Sequence, residues 1–227
     1  KREGFKDDRG LIIYGLIEIL KSKSVPYFIL ENVKGLVHHD KGRTLATILE
    51  LLNDAGYSVS YKILNSSHFG SPQIRERIYL VGSLKILNEK YTFPLGNYNA
   101  INLKNFLSKE ELFEPNDTFF RYLNNKYNNG KYSIGDLLNL PDQFIDTRQS
   151  DIRFFDYCPT LRANRQGILY VMDHKIYRLS PAESLKLQGF SDDHAKIAKN
   201  LTRGSIYKQA GNAMNVNTMR ALIENLI

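Results

Sequence analysis

Residues 26–36 read PYFILENVKGL, in which four apolar or aromatic side chains, Tyr27 to Leu30, lead directly into the acid Glu31. A short continuous apolar run of this kind predicts a strand buried on both faces. In open α/β sheets, ligands sit just outside the carboxyl ends of the strands. A carboxylate is costly to bury unless it is paired or used. Glu31 therefore reads either as a satisfied structural acid or as a group that meets a substrate.

The flanking residues extend this strand into an α/β pattern. LIIYGLIEIL (11–20) is apolar on most sides, as in a helix packed on a sheet, and it is too short and too charged at Glu18 to cross a membrane. A second helix is expected from about Thr44 to Ala55, with Leu45, Ile48, Leu49 and Leu52 on one face and Gly56 as its stop. YSVSYKILN (57–65) alternates as a strand does, and RIYLVGSL (77–84) follows as another. No helix separates these last two, so they are expected to run antiparallel. Val216, Met219, Leu222, Ile223 and Leu226 form an apolar stripe for a C-terminal helix.

Between Phe93 and Gly167 the composition shifts to Asn, Tyr, Lys and Asp, with weak helical periodicity. Aromatic residues recur throughout it, which argues for an irregular, folded second domain and against a disordered segment. The expected division is 1–92 for one half of an α/β domain, 93–200 for the inserted domain, and 201–227 for a helix that rejoins the first. The 227 residues carry a net charge of +7, which is compatible with a nucleic-acid partner. One cysteine excludes an intramolecular disulfide framework and fits a reducing, cytoplasmic setting. No metal is expected. The paired histidines of VHHDKG (37–42) would face opposite ways in an extended segment, and no third His lies at ligand spacing.

In GSPQIRERIYLVG (70–82), Gln73, Arg75 and Arg77 recur at period two and would share one face of an extended segment. Two guanidiniums held side by side make a site for an anion or a carbonyl oxygen; the plainer alternative is a solvated charge cluster paired with Glu76. Taken together, ENV (31–33), QIRER (73–77), RLSPAESLKLQGFSDD (178–193), GNAMNVN (211–217) and GFKDDRG (4–10) resemble, in order, motifs of the bacterial DNA cytosine-5 methyltransferase family.

The resemblance implies a partial S-adenosylmethionine-dependent, Rossmann-like methyltransferase domain of α/β class, with an inserted irregular target-recognition domain. It also implies double-stranded DNA as partner and S-adenosyl-L-methionine as cofactor. Glu31 would hold a flipped cytosine, Arg77 would contact its O2 side, and Arg75 and Gln73 would support them, Gln73 also as a DNA contact. Asn212, Ala213 and the backbone near Ile12 would line the methyl-donor site. CPTLRANRQG (158–167) is similar to the Thr-Leu pair and polar loop of the family's recognition region. There Thr160 would meet phosphate, and Arg162, Asn164, Arg165 and Gln166 would be candidate base readers, with Arg148 in a second loop.

The family's Pro-Cys nucleophile and its Gly-rich donor segment have no counterpart here. They are expected in a preceding segment or in a second chain. Cys158, in DYCPTL, reads as a small buried residue and not as a substitute nucleophile. Two other activities stay open at this point: a non-catalytic DNA-recognition subunit of a split enzyme, and an RNA cytosine-5 methyltransferase of the same fold.

Overall fold

A computed structural model describes residues 8–97, 99–147, 150–163, 167–197 and 200–226, with side chains from Ile12 onward. Helix α1 (Asp8–Lys23) leads into β1 (Tyr27–Val33), α2 (Arg43–Asp54), β2 (Tyr57–Asn65), β3 (Gln73–Ile74) and β4 (Glu76–Leu84). Short helices α3 (Asp117–Leu123) and α4 (Ile134–Leu138) precede β5 (Gln143–Asp146), β6 (Arg153–Phe155), β7 (Cys158–Pro159), β8 (Ile168–Met172) and β9 (Lys175–Arg178). The chain closes with α5 (Pro181–Leu187), α6 (Asp192–Ile197), α7 (Arg203–Asn212) and α8 (Val216–Glu224). Contacts divide it into two compact units: residues 1–65, 76–95 and 220–227 form the first, and 66–75 and 96–219 the second. Among the described residues, no helix is long and apolar enough to cross a membrane.

The first unit is a three-stranded sheet, ordered β1-β4-β2, with β4 antiparallel to both neighbours. The antiparallel pairing of 57–65 with 76–84 is the arrangement their direct connection predicts. Ile17 and Leu20 of α1 and Leu45, Ile48 and Leu52 of α2 bury one face of the sheet together with Phe28, Tyr57, Ile78 and Leu80. The Tyr57 hydroxyl donates to the carbonyls of Leu20 (3.0 Å) and Val25 (2.8 Å), fixing the end of α1 to the start of β2. Gly56, at φ +94°, takes the left-handed conformation that ends α2.

Two expectations change. Burial on both faces belongs to the central strand β4, whose Ile78–Ser83 are all buried. In β1 only Phe28 is fully buried, because among the described residues that strand has a neighbour on one side alone. Helix α1 also leaves Ile12 67% and Ile19 57% exposed, so its apolar surface is covered on one face and not all round.

The second unit is more regular than its composition predicts. A four-stranded antiparallel sheet, ordered β6-β5-β8-β9, separates two cores. Phe144, Ile168, Tyr170 and Met172 join Leu185, Leu187 and Ile206 on one side. Ile145, Leu169 and Val171 join Phe119, Leu123 and Leu137 on the other. Every residue of β8 is therefore buried, and the strand shows no polar alternation to read. Helix α5 starts with a capping box, Ser180 and Glu183 each accepting from the other's backbone N–H, with Pro181 in the first turn. The unit also extends past residue 200. It keeps α5, α6, α7 and the start of α8, and only Arg220–Ile227 belong to the first unit. It takes in 66–75 as well, through the parallel pairing of β3 with β7.

Gly82 faces Phe28 in the first core. A Cβ there would lie 2.2 Å from Phe28 Cζ. Gly82→Ala is expected to destabilise the unit by about 1–3 kcal/mol through overpacking, and Phe28→Leu in the same chain is expected to recover part of that loss. Urea unfolding midpoints of the two variants test this; equal midpoints for Gly82→Ala and wild type would show that the contact is relieved without cost.

Candidate active site

Sheet register places Glu31. Its direct partner across the β1–β4 pair is Tyr79, and Val33 opposes Arg77. Glu31 and Arg77 are thus diagonal neighbours on one face of an antiparallel pair, within reach of each other's long side chains. Phe28 and Leu30, of opposite parity, turn to the helix-covered core. Arg77 Nε lies 2.9 Å from Glu31 Oε1, with the two side chains 14% and 19% exposed. Arg77 Nη1 also donates to the Glu76 carbonyl at 2.8 Å, which fixes the plane of the guanidinium. Nη2 makes no hydrogen bond among the described residues. Beside the pair, Lys34 forms an ion pair with Glu76. The acid at the end of the strand is therefore paired, and the pair keeps one edge open to solvent.

Gln73 and Arg75 fall elsewhere. Both lie in the second unit, buried to 0% and 4% exposure. Gln73 Nε2 donates to the Leu187 carbonyl (3.2 Å), and its Oε1 accepts from Leu161 N (3.3 Å). Arg75 Nη1 donates to the Leu161 carbonyl (3.1 Å), and Nη2 to the carbonyls of Gly211 (3.2 Å) and Ala213 (2.8 Å). The expected side-by-side pair of guanidiniums does not form. Arg75 spends both Nη groups on main-chain carbonyls, while Arg77 spends Nε on Glu31. A catalytic part for Arg75, and a DNA contact for Gln73, do not fit side chains so enclosed and so engaged.

The remaining expected residues divide by exposure. The Thr160 hydroxyl donates to the Ile74 carbonyl at 2.7 Å, so its proton is not available to a phosphate. Arg162 is exposed and makes no hydrogen bond among the described residues. Asn164, Arg165, Gln166 and Arg148 lie outside the described residues. Asn212 is the last residue of α7 and is exposed; Ala213 is extended, its N–H bound to Gln209 O (2.8 Å) and its carbonyl to Arg75. Of these two neighbours, the Asn212 carboxamide is the group left open for a bound cofactor. Ala213 also borders a cavity of about 250 Å³ whose walls include Leu185, Phe190, Ile206 and Gln209. Ile12 lies on the exposed side of α1 in the first unit.

Cys158 is fully buried, its thiol donating to the Pro159 carbonyl at 3.3 Å and its backbone N–H to Pro72 O at 2.8 Å. Three residues that the sequence reading passed over hold the same region together. Asn215 Nδ2 donates to Ser71 Oγ at 2.9 Å, and the Ser71 hydroxyl donates to Leu187 O. Gly211 lies against the 162–163 backbone, where a Cβ would stand 2.2 Å from Ala163 N. Of the three, Gly211 and Asn215 carried a signal, as members of GNAMNVN (211–217).

A profile of C-5 cytosine-specific DNA methylases matches residues 1–155 and 147–227. The chain is similar to the type II methyltransferase M.HaeII of Haemophilus aegyptius, at 34% identity over 99% of this chain and 68% of the relative. It is 33% identical to M.NgoBI of Neisseria gonorrhoeae over 96% of this chain and 66% of the relative. The chain thus spans about two thirds of the length of these relatives. A DNA modification methyltransferase encoded within an Escherichia coli prophage has the same fold, with a TM-score of 0.65 at 17% identity over 99% of this chain and 75% of that one. Matched along its whole length by the family profile, with α/β architecture to suit, the chain belongs to the C-5 cytosine-specific DNA methylases.

Proposed function

We propose that this chain supplies the base-holding and site-reading parts of a DNA cytosine-5 methyltransferase of a restriction–modification system. The observation that carries the reading is the Glu31–Arg77 pair at the end of β1. Carbon 5 of cytosine is a poor nucleophile until a thiolate adds to carbon 6, which pushes electron density onto the ring nitrogen and O2. The ring carbon is out of reach while the base is stacked, so the cytosine is rotated into the site.

Glu31 accepts from the amino group of that cytosine and shares a proton with its ring nitrogen as charge develops there, while its other carboxyl oxygen stays on Arg77. The open edge of Arg77 faces O2 and opposes the charge that develops there, an interaction stronger in the transition state than before it. Holding Arg77 by two fixed acceptors, Glu31 and the Glu76 carbonyl, sets its donors in place before the base arrives.

S-adenosyl-L-methionine, when bound, supplies the electrophilic methyl group. The open Asn212 carboxamide, beside Ala213, would hold its polar part. Arg162 reads the duplex, with guanine as the base its fork fits best. Thr160 serves the loop by bonding to Ile74, not by a direct phosphate contact. Cys158 packs inside the second unit and is not given the nucleophile's role.

In the active enzyme Arg77→Ala is expected to lower turnover by about 100- to 1000-fold, with duplex affinity nearly unchanged; a loss confined to affinity would remove the role given to Arg77. Arg162→Ala is expected to cost about 1–3 kcal/mol of preference at one base pair. Binding measured against a set of single-substitution duplexes tests that, and an unchanged preference would move Arg162 to the phosphate backbone. Cys158 is expected to resist an aqueous disulfide reagent in the folded chain and to react once denaturant is added. Immediate reaction of the native thiol would restore it as a nucleophile.

A further inference from the structure

We infer that Arg75 is a positioning residue for sequence discrimination, clamping the base-reading loop at Leu161 to the C-terminal end of α7 through the carbonyls of Leu161, Gly211 and Ala213. The inference rests on the reading of residues 160–163 as the loop that meets DNA.

Four contacts define the clamp. Both polar groups of Leu161 are held by side chains two residues apart on one segment: its N–H by Gln73 Oε1 and its carbonyl by Arg75 Nη1. The Thr160 hydroxyl bonds to the Ile74 carbonyl, between those two side chains. On the far side of Arg162, the loop backbone lies against Gly211, where a Cβ would stand 2.3 Å from Arg162 C and 2.7 Å from Ala163 Cα. Neither atom can swing aside as the tip of a long side chain would. The loop is therefore pinned immediately before and immediately after Arg162, whose own side chain remains exposed.

The geometry also explains why the residue is an arginine. A planar guanidinium presents donors in fixed directions and can serve three carbonyls from two chain segments at once. A lysine ammonium is a compact donor on a flexible stem and cannot reproduce that fork. Arg75→Lys keeps the charge and loosens the clamp. Gly211→Ala attacks the loop from α7, through the 162–163 backbone, and leaves the side chain at 75 an arginine. Neither change alters the side chain at 162, so an effect on base preference has to travel through the position of the loop.

The test is selection from a pool of DNA duplexes with a randomised core, followed by affinity measurements on the selected duplex and on a scrambled one. Wild type is expected to enrich a site. Arg75→Lys and Gly211→Ala are each expected to lower the selected-over-scrambled preference by about tenfold, the size of one base-pair read, while affinity for the scrambled duplex and its salt dependence stay as in wild type.

Full preference in both variants would overturn the clamp. Equal loss on both duplexes, at an unchanged unfolding midpoint, would also overturn it and make Arg75 a phosphate contact. If Arg75→Lys does not fold, Gly211→Ala decides alone. Failure of wild type to enrich any site would instead sink the reading of the loop, and the inference with it.

Discussion

The antiparallel register of β1 on β4 puts Glu31 and Arg77 one diagonal step apart on the same face, and a shift of one residue would part them. That register is held from the opposite face, where Phe28 packs over Gly82 and edge-on to Tyr57 at 5.2 Å. Tyr57 in turn bonds to the end of α1. The site pair therefore inherits its geometry from apolar packing that it never touches. A hydrophobic core sets the register, and the register delivers the charge pair.

Burying a charge demands partners, and the two units meet that demand differently. In the first, Arg77 finds a carboxylate that is itself partly open, so both groups stay available to a third. In the second, buried charges are closed off by main chain and hydroxyls. Glu183, fully buried, accepts from Tyr170 Oη (2.7 Å), Ser108 N (2.7 Å) and Ser180 N (2.7 Å). Burial, and then the nearby Glu183 charge, push the Tyr170 hydroxyl well above its ordinary range, so it remains a donor to that carboxylate. Such arrangements hold a fold; they leave little for a substrate.

The parts legible in sequence were those where periodicity and burial coincide. YSVSYKILN matches β2 residue for residue, and α2, with Leu45, Ile48 and Leu52 on one covered face, lies within a residue or two of its expected span. The sheet of the second unit was not legible. Ile168–Met172 is buried on both sides, and strands such as Arg153–Phe155 are too short to show a period. At the site, the motifs singled out Glu31 and Arg77 separately, but not that the two would pair with each other. The same period-two spacing held for Gln73 and Arg75, which both meet Leu161, but misled when carried on to Arg77. Alternation tells which side chains point the same way, but not that the chain passes from one unit to the other between Arg75 and Glu76. Nor does sequence tell a guanidinium that faces a ligand from one that faces three carbonyls.

The grip on Leu161 has a consequence for how such a protein can change. Gln73 and Arg75 take hold of an amide and a carbonyl, groups that nearly every residue type possesses. At residue 163 it is again backbone that meets Gly211. The scaffold is thus indifferent to the side chains carried at 162 and 163. A different side chain can be carried at 162, which is exposed, with both polar groups of Leu161 held as before. A frame that recognises main chain and displays side chains separates the inheritance of a fold from the invention of a specificity.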